Sequence, residues 1–458
     1  MSLPARQIAT ERMPLWWEQV DWGEAAPRLE GPIEADVAVI GAGYTGLSAA
    51  YHLAGEGVKV VILESERVGY GASGRTGGIV GAVHPGRLRR ELRQLGMERF
   101  RRLVDFGVET VQIVDDLVRD NQIDCDFQRS GELCLAHSKR HLPLLEESAR
   151  VLTDLGYPAR YLDRRALREV LNTSAYAGAF LAPQSAHLDP GRYVFGLGQA
   201  ARRLGVSIYE RSPVVSLSAH RTAGSNGRNR GARASGALEG RLPSTRVIVR
   251  TEHGEVCARE VIVATNGYTG SLHPFLVGRY FPLRSYIVAT EPLSDEEWAS
   301  IGWKNGCACY DTKIMLYYFR PTRDRRIVFG GRADYAEREN SAMYEQLERA
   351  IITVFPSLRG RVRISHRWYG LLAYTFDRTP RIGRLPGLPQ VWYSIGYSGH
   401  GVGVASLCGK ILAWNLLGRH DYDDVPFNHS RLRRFPLYPL RRLTAPAYLA
   451  YCRLQDAL

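Results

Sequence analysis

The chain of 458 residues carries 60 Lys and Arg against 47 Asp and Glu, a formal charge of +13, with 45% apolar and 23% charged residues. That is ordinary globular usage and excludes a disordered or collagen-like chain, and the length predicts two domains or one large α/β domain with a substantial insertion. Only five basic residues are lysine (Lys59, Lys139, Lys304, Lys313, Lys410), so the basic excess reads as coding composition and argues against nucleic acid as a partner.

The seven cysteines, at 125, 134, 257, 307, 309, 408 and 452, form no CxxC pair, and the Cys307–Cys309 spacing has no second half to complete a metal site. No bound metal is expected. A chain this long needs no disulfide staples, so reduced thiols and a cytoplasmic location are predicted. No apolar h-region and no run of about 18 uncharged apolar residues occurs, so neither a signal peptide nor a transmembrane segment is expected.

In chain order, Val37–Ile40 is an apolar run of strand length, followed at once by Gly41, Gly43 and Gly46 in GxGxxG spacing. Leu47, Ala50, Tyr51 and Ala54 then recur at the helical period, Gly55 and Gly57 close the helix, and Lys59–Leu63 is a second buried strand ending at Glu64. This is a complete βαβ unit with an acid 23 residues beyond its first glycine. Gly41 permits a tight turn, Gly43 lets backbone N–H groups approach a pyrophosphate, and Gly46 lets helix and strand pack closely. The helix N-terminus favours the phosphate charge, and Glu64 can accept hydrogen bonds from ribose hydroxyls. The motif alone does not separate NAD from FAD. The glycine-dense stretch Val68–Gly78, with Ser73, Arg75, Thr76, Gly77 and Gly78, suits a longer ligand that extends past the pyrophosphate.

Further along, a long helix is predicted over Glu91–Val118, short strands at Cys125–Phe127 and Leu133–Ala136, a helix at Pro190–Gly205, and strands at Val206–Tyr209 and Val214–Ser218. Arg221–Ser244, rich in Gly, Ser, Ala and Arg, reads as an extended hairpin loop before a strand at Arg246–Arg250. Val261–Ala264 is a buried strand. Tyr286–Arg384 is β-rich with a helix near Ala342–Thr353. Gly403–Leu417 is the last predicted helix, before a tail rich in Pro, Arg and Tyr.

GAGYTGLSAAYHLA followed by VGYGASGRTGG resembles the D-amino-acid-oxidase-like flavoenzymes, the class containing glycine, sarcosine and γ-glutamylputrescine oxidases. HLDPGRYVFGLGQAARRLGV, SPVVSL at 212–217, EVIVATNGY at 260–268, DRTPRIG at 377–383 and GYSGHGVG at 396–403 extend the likeness. Trp16-Trp17, FPLRSYIVATEPL, FRPTRDRRIVFGGR and the YCRLQDAL tail bring it nearest to the γ-glutamylputrescine oxidase group. The resemblance covers nearly the whole chain apart from 221–244.

It implies an α/β fold in which an FAD-binding, Rossmann-like domain of glutathione-reductase type is interleaved with an α+β substrate domain on a large, mostly antiparallel sheet. The expected division is a 1–33 arm, an FAD-binding part at 34–84, 183–275 and 372–425, a substrate part at 85–182 and 276–371, and a 426–458 tail. Gly41, Gly43, Tyr44, Thr45 and Gly46 would hold the pyrophosphate and Glu64 the ribose. Val214 would bracket the adenine, and Ser73, Arg75, Thr76, Gly77 and Gly78 would line the ribityl chain and flavin. Thr265, Asn266 and Gly267 would reach the adenosine side, and Gly399, His400, Gly401 and Val402 the pyrimidine edge. Sarcosine oxidases attach FAD through a cysteine where this chain has Leu372, and the Ser73–Gly78 loop lacks the histidine other members use, so non-covalent FAD is expected.

The implied reaction oxidises a C–N bond of an amine or amino acid by hydride transfer to flavin, and the resulting imine hydrolyses. O2 or an electron carrier takes the electrons. Val328 stands where sarcosine oxidases carry the lysine that serves oxygen, which leaves oxidase and dehydrogenase both open. His400 is the candidate polar group near the ring. A substrate carboxylate calls for a forked arginine; Arg284 and Arg320 lie in predicted strands, although simple surface exposure is the ordinary expectation for each. Tyr317, Tyr318, Tyr369 and Tyr397 are candidates to wall an amine pocket. A basic flavoprotein acting on RNA or at an anionic membrane is the distant rival. The segments 87–102, 221–244 and 431–458 together carry +14, which leaves the cofactor motifs nearly neutral.

Overall fold

The computed structural model describes residues 13–220, 245–335 and 339–457. The apolar run before Gly41 is the end of a longer strand, Gly31–Ile40, whose last six residues are all buried, as a central parallel strand requires. Val37 and Val39 face a core shared with the helices Tyr44–Gly55, Pro190–Arg203 and Gly401–Leu416. Ala38 and Ile40 face an opposite core shared with the strand Arg246–Thr251.

Among the described residues the first sheet has eight strands. Its main path runs Arg381–Leu385, Leu388–Ile395, Gly254–Val263, Gly31–Ile40, Val60–Leu63, Ser207–Tyr209, the last five mutually parallel. Val214–His220 and Arg246–Thr251 add an antiparallel hairpin, with His220 opposite Arg246. The loop expected between them at 221–244 lies outside the described residues.

The second sheet, among the same described residues, also has eight strands, in the order Ile364–Tyr374, Phe281–Thr290, Ile327–Asp334, Tyr317–Pro321, Ala308–Asp311, Glu132–Leu135, Ala179–Ala182, Arg160–Leu162. All its pairings are antiparallel except Ala308–Asp311 with Glu132–Leu135. The chain therefore enters the first sheet, leaves for the second, and repeats the excursion before returning at 381–395. The fold is the expected α/β architecture.

Three local expectations are corrected. Cys125–Phe127 is not a strand: Asp126 has φ +49°, a left-handed conformation that interrupts a ladder, and only an isolated bridge joins Gln128 to His187. The long helix runs over Pro85–Asp120 and breaks at Gly96, where φ is +74°. The tail contains a helix, Arg441–Ala457.

Candidate functional site

In an open α/β sheet, ligands bind beyond the carboxyl ends of the parallel strands. At that edge the strand ending at Ile40 runs into Gly41–Gly46, the strand ending at Leu63 into Glu64, the strand ending at Val263 into Thr265–Gly267, and the strand ending at Ile395 into Gly396–His400. Backbone bonds knit these turns together. Gly41 N–H donates to Leu63 C=O at 2.9 Å, and Ala264 N–H donates to Ile40 C=O at 2.9 Å. Gly396 N–H donates to Asn266 Oδ1 at 3.0 Å. One edge thus collects most of the residues assigned to the cofactor.

The glycine turn is tight where the fingerprint requires it. Gly41 has φ +103°, which few L side chains tolerate. A Cβ on Gly46 would stand 2.0 Å from Gly41 O, and one on Gly43 would stand 2.8 Å from Ser73 Oγ. Helix and turn are therefore in backbone contact, and the first glycine loop touches the second. Ser73 Oγ accepts from Tyr44 N–H at 3.1 Å, and Tyr44 Oη donates to Ser73 C=O at 2.7 Å. The buried Thr45 hydroxyl lies 2.6 Å from Tyr397 Oη and ties the helix to the turn before Gly401–Leu416.

Glu64 Oε2 accepts from Ala42 N–H at 2.8 Å, while Oε1 accepts from Glu66 N–H at 3.0 Å and from Ser65 at 3.1 Å. Burial pushes its carboxyl up, and these hydrogen bonds oppose that rise. Oε1 is thereby filled, while Oε2 keeps lone-pair capacity toward a further donor. Ser212 N–H donates to Glu64 C=O at 2.8 Å, which brings Val214, two residues on, alongside.

The second glycine loop is held from outside, a feature that local sequence does not announce. Three consecutive carbonyls receive donors from distant segments. Trp368 Nε1 donates to Arg75 C=O at 2.9 Å, Trp16 Nε1 to Thr76 C=O at 2.9 Å, and Arg320 Nε to Gly77 C=O at 2.6 Å. Arg320 also donates to Leu188 C=O at 2.7 Å and Pro321 C=O at 2.8 Å. It is 1% exposed, so surface exposure is wrong for it, and its donors serve the loop instead of a substrate carboxylate. Burial depresses its pKa to about 10, and it stays charged at neutral pH. Ser73 lies two residues before this clamped stretch, and a Cβ on Gly77 would meet the Tyr318 ring at 2.8 Å. The conspicuous Trp16-Trp17 pair was the one available signal of the clamp.

Arg284 is also buried, at 6% exposure, which corrects the expectation of a solvated side chain. Its guanidinium lies 5.3 Å from the Tyr369 ring centroid, and its register partners across the sheet are Leu371 on one side and Asp334 on the other. Leu371 N–H donates to Tyr268 Oη at 3.3 Å, and a Cβ on Gly267 would stand 3.1 Å from Leu371 O. Arg284 is thereby linked through Tyr369 and Leu371 to the Thr265–Gly267 turn. Arg75, whose Nε donates to Tyr70 C=O, sits over the Tyr70 ring at 5.0 Å. Tyr317 is packed against Phe329, and Tyr397 is committed to Thr45 and Ser394. Of the four tyrosines singled out, Tyr369 and Tyr318 remain beside the cofactor loops.

His400 is exposed and occupies the cap position of Gly401–Leu416, a helix with no side-chain cap. Its ring lies 5.6 Å from that of His84. Gly399 has φ +101°, and Val402 is buried in the first core. The bare N-terminus at Gly401 is suited to negative charge. Arg284 and His400 stand on different elements. A separate cavity of about 320 Å³ is lined by His137, Tyr176, Lys313, Tyr317 and Arg349 among others; of the residues singled out from the sequence it takes Tyr317 and none of those assigned to the cofactor.

These features fit a bound dinucleotide: backbone crowding at Gly43 and Gly46, an acid with one oxygen still able to accept at the second strand end, and an uncapped helix facing the same edge. Comparison with known proteins agrees. The family described as FAD dependent oxidoreductase (DAO) matches residues 36–414. The chain is similar to "Probable oxidoreductase OrdL" of Haemophilus influenzae, 34% identical over 86% of this chain and 85% of that protein. It is 33% identical to gamma-glutamylputrescine oxidoreductase of Escherichia coli over 94% of this chain and 95% of that one. In fold it is similar to crystalline glycine oxidase from Geobacillus kaustophilus, with a TM-score of 0.70, 19% identity, and coverage of 87% and 99% of the two chains.

Proposed function

This chain belongs to the DAO family of FAD-dependent oxidoreductases, and from that premise we propose that it oxidises the C–N bond of an amine or amino acid, with γ-glutamylputrescine as the leading substrate. The observation that carries this reading is the convergence of Gly41–Gly46, Glu64, Thr265–Gly267 and Gly396–His400 on one sheet edge. FAD is held there without a covalent bond, a reading supported by Leu372 and by the absence of histidine from Ser73–Gly78. When bound, FAD supplies the hydride acceptor. Gly41, Gly43, Tyr44, Thr45 and Gly46 hold the pyrophosphate through backbone, Glu64 the ribose, and Val214 the adenine. Ser73, Arg75, Thr76, Gly77 and Gly78, with Thr265, Asn266 and Gly267, line the remainder. Gly399, Gly401 and Val402 bring the uncapped helix end to the ring.

The chain's own share of the chemistry is positioning and exclusion of water. Arg284 orients a carboxylate on the substrate, and His400 is the polar group at the rim. The domain division at 34–84, 183–275 and 372–425 against 85–182 and 276–371 is supported by the alternation of the chain between two sheets. A cytoplasmic setting is supported by seven free cysteines, six of them buried.

A second reading, a dehydrogenase that passes electrons to a carrier, is favoured by one observation. Val328 is 1% exposed and packed with Leu15, Trp16, Ile287, Ala289 and Trp368, so no cation occupies that position. The test is direct. Protein loaded with FAD should release it on acid precipitation, and an amine panel should yield peroxide under air for an oxidase or reduce only a dye for a dehydrogenase. Flavin that stays with the precipitate contradicts non-covalent binding.

A further inference from the structure

The helix Arg441–Ala457 buries one face and leaves the opposite one open. Ala445, Leu449 and Cys452 are buried, the last two against Met315. Asp456 faces the same way, its carboxylate accepting from Ile314 N–H at 2.6 Å and Met315 N–H at 2.9 Å. At 100° per residue the outward side carries Leu443, Ala447, Ala450, Tyr451 and Leu454. Leu443 is 73% exposed and Leu454 58%. The apolar surface continues along the chain through Leu437 and Leu440, 58% and 53% exposed. It also extends sideways to Phe376, 52% exposed and stacked edge-on with Phe435, from a turn fastened to this helix by Arg378 Nη2 donating to Tyr448 Oη at 2.8 Å. Exposed leucines in one contiguous stripe mark an interaction surface.

Charge decides the occupant. The segment 431–458 has six arginines and a single acid, Asp456, which is turned inward. Arg431, Arg433, Arg434, Arg442 and Arg453 are exposed, and Arg442 and Arg453 lie together along one edge of the leucine stripe on the helical wheel. An isologous contact with a second copy would set this arginine rim against itself. An anionic lipid surface satisfies both halves of the pattern: leucines enter the headgroup boundary while arginines meet phosphates. No helix among the described residues is long and apolar enough to cross a membrane, so the attachment is peripheral. The helix also lies beyond the residues matched by the family.

We propose that the outward face of Arg441–Ala457, extended by Leu437, Leu440 and Phe376, docks this protein reversibly onto anionic lipid. This goes beyond the amine-oxidation reading and does not depend on it. The test is co-sedimentation of the full-length holoprotein with vesicles of 30% phosphatidylglycerol in phosphatidylcholine and with phosphatidylcholine alone. Binding is expected to the anionic vesicles at 0.1 M salt, with a fall of tenfold or more at 0.5 M. The double variants L443D/L454D and R442E/R453E should each lose binding at least tenfold while keeping the wild-type flavin spectrum and urea midpoint. No binding to anionic vesicles overturns the proposal, as does equal binding to both vesicle types or wild-type binding by the correctly folded L443D/L454D protein. If the wild type is instead a dimer by light scattering that L443D/L454D converts to monomer, with no vesicle binding, a second copy covers this face and the proposal is wrong.

Discussion

Gly46→Ala, set against Gly55→Ala in the same helix, isolates the packing that makes the glycine turn. A Cβ at position 46 meets Gly41 O at 2.0 Å and Val39 Cγ1 at 3.1 Å, whereas one at position 55 meets nothing within 4 Å. Carbon–oxygen contact needs well over 3 Å, so the helix start must withdraw from the turn by more than 1 Å, roughly the scale at which overpacking costs about 1–3 kcal/mol. Alanine recovers about 1 kcal/mol of helix propensity at either site. The net expectation is a loss of up to about 2 kcal/mol of stability for Gly46→Ala and a gain approaching 1 kcal/mol for Gly55→Ala. The same displacement opens the phosphate cradle, so Gly46→Ala should also weaken FAD at least tenfold, about 1.4 kcal/mol, and Gly55→Ala should not. Urea unfolding of the apoprotein and quenching of FAD fluorescence measure the two quantities. If Gly46→Ala binds FAD with wild-type affinity, the turn does not hold the cofactor as described.

Arg320→Ala removes the donor from the Gly77, Leu188 and Pro321 carbonyls; at about 1–3 kcal/mol per buried orphan, the urea midpoint should fall even after release of a buried charge, and an unchanged midpoint refutes the clamp. Arg284→Lys keeps the charge but loses the planar fork, so KM for a carboxylate-bearing amine should rise about tenfold with flavin content unchanged; a wild-type KM removes Arg284 from the substrate site. Glu132 is buried, and desolvation pushes its carboxyl up to about 8 from an ordinary 4.5. The folded protein keeps a proton there that the unfolded chain releases, so this stability is full below pH 4.5 and is lost as pH rises through 8. Glu132→Gln should flatten the decline of the urea midpoint over that window, and parallel profiles for the two proteins count against it.

The βαβ unit was legible because its strand, turn and helix are contiguous and each shows its own period. The cofactor edge was legible for the same reason: each turn directly follows a parallel strand. The clamp on Arg75, Thr76 and Gly77 was not, since its donors come from residues 16, 320 and 368 and only the sheet brings them together. Arg284 and Arg320 looked like surface residues because one arginine among so many in a strand carries no sign of which face it takes. The helix Arg441–Ala457 was hidden by Pro446 and by apolar residues on two faces, Leu449 and Cys452 inward and Leu443 and Leu454 outward. Two stripes blur the single-faced period that announces a helix.

The central claim is that this edge holds FAD and delivers an amine's electrons to it. Anaerobic mixing of the FAD-loaded protein with γ-glutamylputrescine, glycine, sarcosine and D-amino acids, followed by flavin absorbance, tests it most directly. The account predicts bleaching of the flavin band by at least one amine, restored when an acceptor is admitted; a flavin band that no amine bleaches, or a protein that takes up no FAD, contradicts it.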